Sequence, residues 1–187
     1  MEIKSFNNGA RSRPQISSRI SMEYGEHLSL SYNIDDFLIF EDGQPLAEIF
    51  DYWSQQEGTV PSHWAPEMDL PQIFGHVSAC IDVSATDPAY FRIVSHRICP
   101  LTGRGAGWGD ILLKDIGWSE YATSLAADYT FCRRSQIPEF HEIKQKIGAI
   151  SSRYNRLILP VSDTPNGKVT KLYTCIQNLA QNRVVTP

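Results

Sequence analysis

The run Gly103-Arg104-Gly105-Ala106-Gly107-Trp108-Gly109 holds four glycines, and glycines this closely spaced let backbone N–H groups approach an anion such as a phosphate. The register denies that chemistry. A dinucleotide fingerprint needs glycine at the sixth place, where this run, counted from Gly103, carries Trp108, and no Gly-Lys-Ser/Thr follows for a P-loop. A flexible turn between short elements is the better reading. Cys99-Pro100 is a dipeptide through which a thiolate can hold haem iron, and His96 stands three residues before it. Cysteine is among the most often buried residue types and a lone Cys-Pro pair carries little information, so haem through Cys99 or His96 is outweighed by an ordinary buried thiol.

The five histidines, His27, His63, His76, His96 and His141, show no His-Glu-x-x-His or other local metal-ligand spacing. His76 and His141 fall at the starts of expected strands, where solvent exposure or a backbone hydrogen bond accounts for each. Cys80, Cys99, Cys132 and Cys175 never form a Cys-x-x-Cys pair, which argues against a zinc site and against a disulfide scaffold. Asp82, Asp87, Asp110, Asp115 and Asp128 are scattered, and no Gly-x-Ser-x-Gly elbow is present. No metal site and no catalytic residue is expected, so the residues point to binding rather than catalysis.

What must position any site is a chain of 187 residues, which fits one domain with an extension. Hydrophobic residues make up 42% and charged residues 20%, enough apolar material for a true core. The formal charge is −4 and no Lys/Arg-rich run occurs, so the electrostatic footprint of a nucleic-acid binder is missing. No stretch approaches the roughly 18–20 apolar residues of a membrane span, and the polar start lacks the apolar core of a secretory signal. A cytoplasmic location without membrane contact is the expectation.

Residues 1–41 are polar and irregular and read as an extension. Leu46, Ile49, Phe50 and Trp53 then fall at i, i+3, i+4 and i+7, the apolar stripe of a helix, with Pro45 in its first turn and Gly58 after it. Pro61, Pro66 and Pro71 make residues 60–74 a connecting segment. Residues 76–84 and 91–95 alternate with period two around the turn at Asp87-Pro88, which predicts an antiparallel hairpin. A longer helix follows, with Ser119 as its N-cap, Tyr121, Leu125 and Tyr129 on one stripe, Arg133 and Arg134 at its negative end and Pro138 as its stop. Three strand-like runs, 140–147, 154–161 and 169–176, finish the chain, the last two joined through Pro165-Asn166-Gly167. Two early and three late strands predict an α+β fold, a mainly antiparallel sheet with helices packed on one face.

At this point the chain resembles a divergent bacterial branch of PAS domains, short proteins with little beyond that fold. The resemblance is carried by Ile49-Phe50-Asp51-Tyr52-Trp53, Val60-Pro61-Ser62, Asp69-Leu70-Pro71-Gln72-Ile73-Phe74, Phe91-Arg92-Ile93-Val94, Leu101-Thr102-Gly103-Arg104-Gly105 and Tyr154-Asn155-Arg156-Leu157-Ile158-Leu159-Pro160-Val161, in order between about Leu46 and Gln177. Where relatives carry a Gly-containing turn after the second strand, this chain has Ser95-His96-Arg97.

The resemblance implies a five-stranded antiparallel sheet, a sensory domain over 42–187, and a regulatory role in signal transduction with no output domain. It places a cavity between the longer helix and the sheet, which makes Phe91, Tyr121, Leu125, Tyr129, Arg156 and Tyr173 candidates to bind a small, mostly apolar ligand. Ordinary core packing is the competing account of the same aromatics. It also implies a homodimer through Leu46, Ile49, Phe50 and Trp53, a signalling protein as partner, and no haem or flavin. A ligand-free interaction adaptor is the main alternative and a small α+β enzyme a distant one.

Overall fold

A computed structural model describes residues 15–22, 25–34, 44–55, 77–96, 111–117, 119–147, 150–164 and 167–183. Strand β1 spans Gln15–Met22 and β2 Gly25–Tyr32, helix α1 Gln44–Gln55, then β3 Val77–Asp82 and β4 Arg92–His96. Two-residue β5 (Ile111–Leu112) leads to helix α2, Ser119–Ser135, and to β6 Glu139–Ile147, β7 Ile150–Val161 and β8 Lys171–Arg183. The fold is α+β, with one eight-stranded antiparallel sheet in the order β1-β2-β6-β7-β8-β3-β4-β5. Among the described residues no helix is long and apolar enough to cross a membrane.

The five strands expected from periodicity are β3, β4, β6, β7 and β8, and they sit side by side as β6-β7-β8-β3-β4. The sheet is wider than expected, because residues read as irregular extension form the β1–β2 hairpin, which pairs with β6 from Gly25↔Ile147 to Tyr32↔Phe140. In β2 the residues Leu28, Leu30 and Tyr32 alternate with His27, Ser29 and Ser31, the period of a strand with one polar face.

The two helices lie on opposite faces, not on one. Successive residues of a strand point to opposite sides, so the partners of β7 decide the matter. Ile158 packs in one cluster with Tyr121, Ala122, Leu125, Tyr129 and Cys132 of α2, whereas Leu157 and Leu159 pack in another with Leu46 and Ile49 of α1. The expected one-sided layer fails because strands β7 and β8 carry apolar residues at both parities, leaving two faces to cover. Both helices form as their patterns predict. α1 contains Pro45 in its first turn, where a missing N–H breaks no intrahelical bond, and Trp53 Nε1 donates to Pro160 O at 2.8 Å. α2 begins at Ser119 itself, and its end is closed by Gln136 in the left-handed region (φ 58°), whose N–H donates to Cys132 O at 3.0 Å.

Candidate functional site

The stripe of α2 that faces the sheet carries one carboxylate. Asp128 falls between Leu125 and Cys132 on the inward side, and across from it β7 places Arg156 at the same parity as Tyr154 and Ile158. Arg156 Nη2 donates to Asp128 Oδ2, and both side chains are withdrawn from water. Burial works to lower the guanidinium's pKa, but the Asp128 charge and the hydroxyls of Tyr129, Tyr154 and Tyr121 outweigh it and hold the pKa above the ordinary arginine value. The cation is therefore permanent. Its Nε–H, also buried, meets no acceptor among the described residues.

Around this pair the neighbouring strands add further polar groups on the same face. His27 and Ser29 come from β2, and Glu139, His141 and Gln145 from β6; Tyr154 comes from β7 and Thr174 from β8, and all but Glu139 are buried. The His27 ring meets that of Tyr121 edge to face, centroids 5.2 Å apart. His141 Nδ1 lies 3.1 Å from Ser29 Oγ, and its Nε2 lies 3.6 Å from Glu139 Oε2, beyond hydrogen-bond reach. Burial, helped by the Arg156 charge, drops His27 to about 4 and His141 to about 3, so both imidazoles are neutral at pH 7. Burial raises Glu139 to about 7 against the pull of Arg156. Burial also raises the pKa of Tyr121 and Tyr129, which keep their protons and remain donors.

Ser29, His141 and Glu139 follow one another like a nucleophile, a base and an orienting carboxylate. Ser29 has no exposed surface, however, so a carbonyl has no way to its Oγ as the side chain stands. The cluster brings together one fixed cation, several neutral donors and acceptors, and apolar walls from Leu125, Ile143, Ile158 and Ile176.

Tyr121, Leu125, Tyr129 and Arg156 thus come together as expected. Phe91 lies on the same face, where the Arg133 guanidinium sits 4.8 Å from its ring centroid. Tyr173 does not join them. It has the opposite parity on β8 and packs with Leu46, Ile49 and Cys175 under α1. The lining is also more polar than the apolar site expected. His141, read as solvent-exposed or backbone-bonded at a strand start, is buried and bonded to a side chain. Of the proposed dimer residues, Leu46 and Ile49 are enclosed within the single chain, while Phe50 and Trp53 are half-buried.

The glycine run and Cys99 lie outside the described residues, and His96 is described only as the end of β4. Cys132 and Cys175 are buried on opposite faces, and burial raises both thiols. Among the described residues no three His, Cys, Asp or Glu side chains converge as a metal site. Asp128, His27, Ser29, Glu139 and Gln145 were missed from the sequence. The signal was there for Asp128, a carboxylate inside an apolar helical stripe, and for His27 and Ser29 in the alternation of β2. No family model, curated protein or solved structure matches the chain.

Proposed function

We propose that this chain is a PAS-type sensory module of cytoplasmic signal transduction, acting by binding rather than catalysis, with the polar cluster between α2 and the sheet as its sensing site. One observation carries the reading: the buried Arg156–Asp128 pair, with a guanidinium N–H left over, under a helix whose other inward residues are apolar or aromatic. A buried ion pair is a poor stabiliser compared with apolar residues of the same volume, so a core built for stability alone gains little from it. The five contiguous strands β6-β7-β8-β3-β4 support the family reading, and α1 on the far face departs from it. The ligand class that suits the cluster is a small polar molecule with an acceptor for the arginine and groups that meet neutral imidazole and phenol. Signal output through a protein partner and homodimerisation through α1 belong to the same proposal, the latter now confined to Phe50 and Trp53.

The test pairs native mass spectrometry and an absorbance scan of fresh protein with a thermal-shift screen of small polar metabolites. The variant Arg156→Met/Asp128→Leu removes both charges at once and is expected to fold, since neither partner is left alone. A ligand at about 100 times Kd adds roughly 2.7 kcal/mol to the wild type, and that gain is expected to vanish in the double variant. A wild type that carries no bound mass and responds to no metabolite would leave the interaction adaptor as the better reading.

A further inference from the structure

At the far end of α2 from Tyr121, a crevice of about 310 Å³ opens to solvent between three separate segments. It is lined by Ser84, Ala85 and Thr86 from the loop after β3, by Arg133, Arg134 and Gln136 from the end of α2, and by Lys168 and Val169 from the turn before β8. Three cations line it and no carboxylate does. The carboxylates closest in sequence are turned to other partners: Asp87, next to Thr86, accepts from Ala89 N through Oδ1, and Asp82 accepts from Ser84 N and Oγ through Oδ1 and from Arg92 through Oδ2.

We propose that this crevice is a binding site for a phosphate monoester, with Arg134 and Lys168 as its charge partners and Arg133 as its fixed wall. Arg133 is held in place on both sides. Its Nη1 donates to Val83 O at 2.8 Å and to Ala85 O at 2.6 Å, and its guanidinium lies over the Phe91 ring. That anchoring fastens the loop bearing Thr86 to the end of the helix, so the walls of the crevice are set before any ligand arrives. Arg134 and Lys168 are exposed and, among the described residues, make no hydrogen bond or ion pair.

Ordinary helix capping does not account for the charge. The carbonyl end of a helix carries about half a negative charge, and two arginines and a lysine exceed it several-fold. The whole chain is acidic, at −4, so its general field repels anions and the attraction is local to this place. A dianionic phosphoryl group matches three cations better than a single carboxylate, arginine's planar fork suits its oxygens, and the Thr86 hydroxyl and Gln136 amide supply neutral donors at the rim. The volume admits a phosphoryl group and a small alcohol, not a polymer. This site shares no residue with the polar cluster around Arg156, and it stands or falls separately from the sensory reading.

Isothermal titration with inorganic phosphate and with glycerol 3-phosphate, against chloride at equal ionic strength, tests the assignment in the wild type and in Arg134→Gln/Lys168→Gln. Both substituted side chains are exposed, so the variant is expected to melt where the wild type does in phosphate-free buffer. Phosphate and its ester bind the wild type, and the variant binds them at least about tenfold more weakly, the loss of two charge-assisted contacts. Equal heats from chloride, or unchanged affinity in a variant of unchanged melting point, would falsify the site. Pelleting with phosphatidylserine vesicles without any response to soluble phosphate would overturn it in favour of a membrane-facing patch.

Discussion

Two neutral histidines and one acid with a pKa near neutrality sit within one buried cluster, and their linkage to folding has opposite signs. His27 and His141 have folded pKa values of about 4 and about 3, below the ordinary 6.5, so the stability they contribute is complete above pH 6.5 and is lost as pH falls. Glu139, raised from 4.5 to about 7, contributes stability below pH 4.5 that is lost as pH rises through 7. Between pH 6.5 and 4.5 unfolding takes up protons at two sites and releases one, a net slope of up to about 1.4 kcal/mol per pH unit in favour of the higher pH. Urea titrations from pH 7.5 to 4.5 are expected to show that fall. In Glu139→Gln the opposing contribution is gone, so the fall is steeper; in His141→Gln it is shallower. Arg156→Ala strands the buried Asp128 and is expected to lower stability by about 3–5 kcal/mol, while Arg156→Met/Asp128→Leu recovers most of that loss. Spacing marked single members of this network, such as Tyr121 and Tyr129 on their helical stripe, but not their meeting, because the members come from five elements and most are ordinary polar residues in their own segments.

At the level of elements, periodicity carried far. The stripe from Leu46 to Trp53, the alternation through Ile81 and Ile93, and the inward row Tyr121, Leu125 and Tyr129 mark helices and strands that form as read, because each buries one face. The β1–β2 hairpin was missed for a physical reason: its inner face is His27 and Ser29, so serine-rich composition hid a period of two. One-sided helix packing was wrong because residue period shows that a face is covered, not by what. Leu46→Ala is expected to cost about 2–5 kcal/mol, since that side chain has no exposed surface and lies at the contact between α1 and the apolar residues of β7 and β8. Trp53→Phe keeps an aromatic ring in a smaller side chain and loses the bond to Pro160 O, for about 1 kcal/mol from the bond alone. In the turn between β7 and β8, a Cβ on Gly167 would stand 2.8 Å from Thr164 O, a backbone atom. Gly167→Ala is therefore expected to lower the melting point, by about 1–3 kcal/mol in stability, measured against wild type by calorimetry.

Taken whole, the described residues form one sheet with an apolar cluster on each side: α1 packs on one and α2 on the other, and each face turns polar toward the β2–β6 side, around Glu142 on the α1 face and around Arg156 on the α2 face. Its assembly order follows from the β3–β8 pairing, in which Val77 meets Ile176 and Asp82 meets Lys171. Strands β6, β7 and β8 are sequential neighbours joined by short turns, so they close little chain to pair, whereas the β3–β4 hairpin must wait for a partner far along the sequence. On a ribosome, which delivers the chain from its first residue, the apolar edge of β3 is synthesised long before β8 exists to receive it. Pulse-labelled hydrogen exchange during refolding is expected to protect Leu157 and Leu159 before Ile81 and Ile93. The early half of this protein is thus a segment in waiting, and an interval of exposure to aggregation or to a chaperone is written into the order of its strands.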